Sequence, residues 1–294
     1  MTAPLHLLGA GRAGRALARA LHARGLPLGA IANRSARSSS AAARSIGAGT
    51  PAAARDAFLP GATTLIGVPE GELAPLAVEL AEQLPDCAGA IALHLSGALS
   101  AEVLAPLRSR GIAIGSLHPL AAFAALDEAP RDFTGVTFDL DGDPTACAAA
   151  RALVAALGGV ALELGGGGQR DGKPLFHAAA CTVSNAAVAL FELAEQLAAR
   201  AGAPPDVARA ALVALSRSTL DNLARLGAPA ALTGPIERGE VAIVAAHLAA
   251  LARTAPELLP AYRDFARATL ATARRSGRLA PAAAAALDAL LCAD

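Results

Sequence analysis

Lys173 is the only lysine in a chain of 294 residues that carries 24 arginines. Arginine stays charged and cannot usefully release a proton, whereas an ammonium is a compact donor whose pKa falls on partial burial. A solitary amine therefore marks a place where a proton is given, or where new negative charge on oxygen is stabilised. Reduction of a carbonyl or imine by hydride needs one or the other. The competing reading is a surface lysine at a helix start. The stretch Asp171-Gly172-Lys173-Pro174-Leu175-Phe176-His177 runs on as helix through Ser184-Asn185. At about 100° per residue, His177, Ala180 and Ser184 fall within roughly 40° of Lys173, with Asn185 at the edge of that face. Pro174 suits a first helical turn and Asp171 a cap. Lys173, His177, Ser184 and Asn185 form the candidate catalytic set.

A second constellation lies at the front of the chain. Leu5-His6-Leu7-Leu8 is a short apolar run, followed by Gly9-Ala10-Gly11-Arg12-Ala13-Gly14, an Ala/Leu/Arg helix and a second apolar run ending at Asn33. In a strand, glycine turn, helix unit the first glycine permits the tight turn and the second lets a pyrophosphate approach bare backbone. The third lets the helix sit close on the strand, and the helix's free N–H groups face the anion. In NAD enzymes an Asp or Glu about 20 residues further on holds the ribose 2′-OH. Here that place holds Asn33-Arg34-Ser35, with Arg37 behind it. A guanidinium grips a 2′-phosphate that a carboxylate would repel, so the expected cofactor is NADP(H). The charge distribution agrees, because the first 55 residues contain eight Arg and no Asp or Glu. A solvated Arg-rich helix is the plainer alternative.

The remaining polar residues fall at the ends of apolar runs. Thr63 to Pro69, Ala90 to Gly97 and Gly111 to Pro119 read as buried strands, so Val68 and Pro69 are expected beside the cofactor and His94, Ser96, His118 and Pro119 beside the substrate. Ligands of doubly wound sheets lie beyond the carboxyl ends of the strands. A zinc site of His94, His118 and His177 has no metal-ligand spacing, and no metal is expected. Thr233-Gly234-Pro235-Ile236-Glu237-Arg238, with His247 on the next helix, is a further polar island. Thr233 and Arg238 are candidate substrate contacts, and a capped helix-helix turn is the alternative.

These residues need a scaffold. Strands alternating with helices up to Val160–Leu164 predict an α/β Rossmann domain, a mostly parallel doubly wound sheet. A helix is expected over Leu73 to Leu84, another through Leu107, and one from Pro144 to Leu157. Gly165-Gly166-Gly167-Gly168 is the strongest linker signal, and beyond it the pattern is all helical, with five or six helices expected. The expected division is residues 1–166 for the nucleotide and 167–294 for an all-α domain that serves substrate and dimerisation. Ala- and Leu-rich helices from Val207 to Leu226 and Val241 to Leu251 have more apolar surface than a small domain needs, which predicts a homodimer. With net charge zero and no basic stripe, nucleic acid is not an expected partner. Four separated cysteines without CxxC spacing fit a reduced, cytoplasmic protein. No signal peptide and no uninterrupted apolar run of membrane-spanning length are expected.

Taken together, the Gly9/Gly11/Gly14 loop, Asn33-Arg34-Ser35, His94-Leu95-Ser96-Gly97, Gly115-Ser116-Leu117-His118-Pro119-Leu120, Lys173 with His177 and Ser184-Asn185, and Leu232 to Gly239 with His247 resemble a bacterial family. Its members join a Rossmann-like NADP-binding domain to a helical domain of unknown function. The architecture is similar to ketopantoate reductase, pyrroline-5-carboxylate reductase and the hydroxyisobutyrate dehydrogenases. In that group a Lys near the start of the first long helix after the nucleotide domain, and an Asn further along, serve the substrate. Lys173 and Asn185 match in kind, at a longer interval, so His177 or Ser184 stands as an alternative to Asn185. The resemblance implies reduction of a small 2-keto acid carboxylate, ketopantoate first. An imine reductase of the pyrroline-5-carboxylate type is the second reading, and a non-catalytic NADP sensor or scaffold the third.

Overall fold

The computed structural model describes residues 4–123, 130–164 and 172–292. The Gly165–Gly168 linker and the Asp171 cap lie outside the described residues.

The first apolar run is β1 (Leu5–Leu8), and the glycine turn opens α1 (Arg12–Ala23). The chain continues through β2 (Leu28–Ala32), α2 (Ala36–Ile46), β3 (Thr50–Ala52), β4 (Thr63–Ile66), α3 (Glu70–Gln83) and β5 (Ile91–His94). It then forms β6 (Ala113–Pro119), β7 (Thr137–Gly142), α4 (Pro144–Leu157) and β8 (Val160–Glu163). β3 is too short and too poor in large apolar residues to stand out in the sequence. The expected helix through Leu107 is instead a 3-10 run, Ala101–Arg110, with Pro106 inside it. A proline there removes an N–H donor and clashes with the preceding turn, which disfavours a regular α-helix.

The eight strands form one sheet in the order β3-β2-β1-β4-β5-β6-β7-β8. All neighbours are parallel except β6 and β7. Chain direction across the sheet reverses at β1, which pairs with β2 on one side and β4 on the other. Such a switch point leaves a crevice at the strands' carboxyl ends. Alternate residues of each strand serve opposite faces. Leu7, Ile31, Leu65 and Leu93 pack with α1, α2 and α4, while Leu8, Ala32, Ile66 and Ala92 pack with α3 and the 3-10 run. Covering on both faces explains why these strands read as continuous apolar runs.

The all-α part begins with α5 (Gly172–Arg200) and continues as α6 (Pro205–Leu226), the single turn α7 (Ala228–Ala231), α8 (Val241–Thr254), α9 (Leu259–Ser276) and α10 (Pro281–Cys292). Two compact units result, Met1–Thr182 and Val183–Asp294, so the first turns of α5 belong with the sheet. The core of the second unit is built from Ile236, Val244, Leu248, Leu270, Leu287 and Leu291. By length and composition α5 is long and apolar enough to cross a membrane, a feature that a search for unbroken apolar runs misses because small residues raise its mean hydropathy.

Packing at the switch point is backbone on backbone. A Cβ at Gly67 would lie 2.5 Å from the Gly9 carbonyl oxygen, and Gly67 is not among the positive-φ glycines, so steric overlap alone opposes a side chain. Gly67→Ala should therefore lower stability by roughly 1–3 kcal/mol in urea unfolding.

Candidate active site

Three glycines form a cradle, and at two of them nothing larger fits. Gly9 has φ +87°, and a Cβ there would lie 2.7 Å from the backbone of Gly67 and Val68. A Cβ at Gly14 would meet the Gly9 carbonyl oxygen at 2.8 Å. Gly11 is different, since its nearest neighbour would be the Gly67 oxygen at 3.4 Å, an ordinary contact. It is exposed at the N-cap of α1 and no side chain caps the helix. The amides of Ala13 and its neighbours at the positive end of α1 are thus without a side-chain cap, and an anion suits that place. The observed cradle fits a dinucleotide pyrophosphate.

Residues at the end of β2 divide into braces and exposed charges. Asn33 is a brace: its Oδ1 accepts from the Ala10 N–H at 2.8 Å and its Nδ2 donates to the Ser38 carbonyl at 3.2 Å. Ser35 caps α2, its Oγ accepting from the Ser38 N–H at 3.2 Å. Arg34 and Arg37 are exposed and make no hydrogen bond or ion pair among the described residues. Arg12, at the first position of α1, is exposed. Val68 lies against Gly9, and Pro69 is exposed at the entrance to α3.

Two strands across from the cradle a polar cluster occupies the same sheet edge. Register places Ile66 beside His94 and His94 beside Ser116. Ser116 and His118 share a face with Ile114, and β7 sets Asp139 opposite His118. From the first turn of α5, the Lys173 ammonium donates to Asp139 Oδ2 at 2.6 Å and to Ser116 Oγ at 2.9 Å. Lys173 is 7% exposed and Asp139 2%. One turn further, His177 meets His118 edge-on, with ring centroids 5.7 Å apart. The Cys181 thiol lies 3.8 Å from His177 Nε2. Gly97 makes room for both rings, because a Cβ there would fall 2.5 Å from His177 Cδ2 and 2.6 Å from His118 Nε2.

The structure thus brings Lys173, His177 and His118 together and corrects other expectations. Lys173 is not an open amine; its charge is already matched by Asp139, so a direct proton donor is replaced by a buried ion pair. His94 is fully buried, with Nδ1 accepting from the Ser96 N–H and Nε2 facing the Ser100 carbonyl, each at 3.2 Å. It has no nitrogen left for substrate. Ser96 is committed to Glu70 and to the amides of Ala98 and Leu99. Pro119 is buried within β6. Ser184 and Asn185 are exposed on α5 and belong to the second unit, as do Thr233, Arg238 and His247. There Arg238 pairs with Glu240 at 2.9 Å and His247 Nδ1 meets the Tyr262 hydroxyl at 2.8 Å. No group of three metal-binding side chains occurs among the described residues.

Sequence reasoning missed Asp139 and gave Ser116 and Gly97 no role beyond the segments that carry the resemblance. Asp139 had a signal: an acid within the apolar strand Thr137-Phe138-Asp139-Leu140 needs a buried cation, and only one lysine exists.

The fold and cradle define a protein with a nucleotide-binding α/β domain and a helical companion. Residues 4–119 match the Rossmann-like domain model and residues 136–269 match a domain of unknown function, DUF2520. The chain therefore carries a Rossmann-like domain followed by a DUF2520 domain. No curated protein matches it. Among solved structures it is similar to BF3122 from Bacteroides fragilis, provisionally named an NADP oxidoreductase, at 20% identity and a TM-score of 0.70, covering 91% of this chain and 97% of that one. An imine reductase from Pseudomonas sp. is 19% identical, with a TM-score of 0.63 over 99% of this chain and 100% of the other. A reductive aminase from Aspergillus terreus, solved with NADPH and ethyl levulinate, is 18% identical, with a TM-score of 0.66 over 98% and 99% of the two chains.

Burial, and then the Lys173 charge, press the His94 pKa down to about 4 from the ordinary 6.5. Between those values the unfolded chain binds a proton that the native fold refuses, so stability falls as pH drops from 6.5 towards 4. The loss attributable to His94 is about 3 kcal/mol. Burial lowers His6 and His118 in the same direction. Urea unfolding at a series of pH values should show this slope, and His94→Gln should flatten it.

Proposed function

We propose that the chain is an NADPH-dependent oxidoreductase that reduces a small substrate at a polar C=O or C=N bond. One observation carries this reading: a carboxylate-free β2 end with Arg34 and Arg37 exposed, a glycine cradle at the switch point, and an imidazole pair over β5 and β6 share one sheet edge. A dinucleotide laid across a switch point places its two halves over the two halves of the sheet. Gly9, Gly11, Gly14 and the α1 amides would hold the pyrophosphate, and Arg34 and Arg37 the 2′-phosphate. When bound, the reduced nicotinamide supplies hydride. His118 and His177 stand where a substrate would meet it, while Lys173 and Asp139 anchor α5 beneath them.

The likeness to enzymes crystallised with NADPH supports this reading. Ketopantoate is the first substrate to test, on the resemblance described above. A cyclic imine is the second, favoured by the fold shared with imine reductases. Unpaired cysteines at Cys87, Cys147, Cys181 and Cys292 are in keeping with a reducing cytoplasm.

We also infer that a second copy of the chain packs on the helical unit. Val183, Val188, Val207, Leu215 and Leu220 are each more than 60% exposed along α5 and α6, an apolar display of the kind that marks an interaction face.

Three measurements follow. Charge-assisted hydrogen bonds contribute about 1.5–3 kcal/mol, so the Arg34→Ala/Arg37→Ala double variant should weaken NADPH binding by roughly 10–100-fold while leaving NADH affinity unchanged, as read by fluorescence titration. NADPH bound tightly with no turnover of any oxo acid or imine would favour the sensor reading instead. Sedimentation equilibrium at micromolar concentration should report twice the 29.1 kDa chain mass.

A further inference from the structure

The reductase reading leaves open which double bond is reduced, and the following rests on that reading. We propose that His118 contacts the substrate, that its Nε2 accepts a hydrogen bond from a substrate N–H, and that the site is thereby specific for a protonated imine over a carbonyl compound.

The tautomer of His118 is set by the sheet. Its Nδ1 lies 3.0 Å from the Leu95 carbonyl oxygen, which can only accept, so Nδ1 carries the proton. In the neutral ring Nε2 is then a lone pair, and it has no hydrogen-bond partner among the described residues. It lies beside the Gly97 backbone and the edge of His177, which together fill the space a Gly97 side chain would take, so a substrate N–H must reach it from the side that these two leave uncovered.

The groups that face His118 keep the ring neutral. From α5 come the Lys173 ammonium and His177, from β7 the Asp139 carboxylate, and from the end of β5 the Leu95 carbonyl. Burial together with Lys173 and His177 outweighs Leu95 and Asp139, and the pKa lies below the ordinary value of 6.5. At neutral pH His118 therefore has no spare proton to donate. Lys173 is engaged elsewhere, with two of its three N–H groups directed at Asp139 and Ser116.

This matters for the electron balance of the two candidate reactions. When a carbonyl gains hydride at carbon, its π pair moves to oxygen and a proton must be delivered there. A protonated imine, whose C=N nitrogen bears a hydrogen and one positive charge, gains hydride from the reduced dinucleotide at carbon, and its π pair comes to rest on nitrogen as the amine lone pair. No proton is transferred. What the second reaction needs is an acceptor that orients the N–H and adds no positive charge. Neutral His118 is such a group, with the Asp139 carboxylate behind it. A substrate carboxylate, by contrast, would meet the Nε2 lone pair unfavourably.

The test compares wild type, His118→Asn and His118→Gln with NADPH on 2-methyl-1-pyrroline and on ketopantoate, alongside melting temperatures. A ring-¹⁵N spectrum of the histidine-labelled wild type reads the tautomer independently of activity. Asn can keep the bond to the Leu95 carbonyl but has no atom at the Nε2 position, whereas Gln places an amide oxygen there. The wild type should prefer the imine, and loss of one hydrogen bond to a charged group should lower kcat/KM for it about 10–100-fold in His118→Asn. His118→Gln should recover part of that loss. In the wild type kcat/KM for the imine should fall on the acid side with an apparent pKa below 6.5, and the spectrum should show Nδ1–H. A preference for ketopantoate, imine reduction untouched in both variants, or an Nε2–H ring would overturn the proposal while leaving the reductase reading intact. No turnover of either substrate despite tight NADPH binding would overturn that reading, and this proposal with it. If His118→Asn does not fold, wild-type preference and the ring spectrum still decide.

Discussion

The buried pair of Lys173 and Asp139 is the contact on which the candidate site depends. A carboxylate in the middle of a sheet pays heavily in lost hydration, and so does an ammonium, unless each finds the other at close range with further hydrogen bonds. Lys173 supplies that partner and takes Ser116 as well. Removing one member of such a pair strands the other and typically costs about 3–5 kcal/mol. The pair thereby holds the first turn of α5 against β6 and β7. His177 and Cys181 then follow at helical spacing and reach the carboxyl edge of the sheet.

A second constraint is steric. Gly9, Gly14 and Gly67 let the turns after β1 and β4 and the start of α1 approach to distances that no side chain would permit. The bare helix terminus and the crevice at the switch point both result from that approach. Electrostatics then distinguishes the two ends of the edge. The β2 end displays exposed guanidinium groups, while the β5 and β6 end holds one positive charge neutralised inside the sheet and imidazoles beside it. Charge is displayed where a phosphate is proposed to sit and concealed where chemistry is proposed.

Much of the α/β half was readable because its signals are local. Leu5 to Asn33 carries turn, helix and strand in one continuous stretch, and apolar runs covered on both faces stand out clearly. The 3-10 run with Pro106 and the short β3 were not readable, since a proline within an otherwise helical pattern and a three-residue edge strand leave little periodic trace. Within the site, the face shared by Lys173 and His177 followed from helix geometry. Ser184, further along the same helix, is exposed and falls in the second compact unit.

The residues by themselves determined a glycine turn between strand and helix, the absence of a carboxylate after β2, and the singularity of one lysine, because each is a matter of type and short spacing. Only the folded chain decided what that lysine does. Asp139 is 34 positions away from it, and no spacing rule joins a strand acid to a helix amine. The same holds for the histidines. His94 and His118 look alike at the ends of neighbouring strands, yet one is sealed by Ser96 and Ser100 and the other keeps a bare nitrogen beside Gly97. Burial and hydrogen-bond partners arise from packing between distant segments, and they set the protonation state that local sequence leaves undetermined.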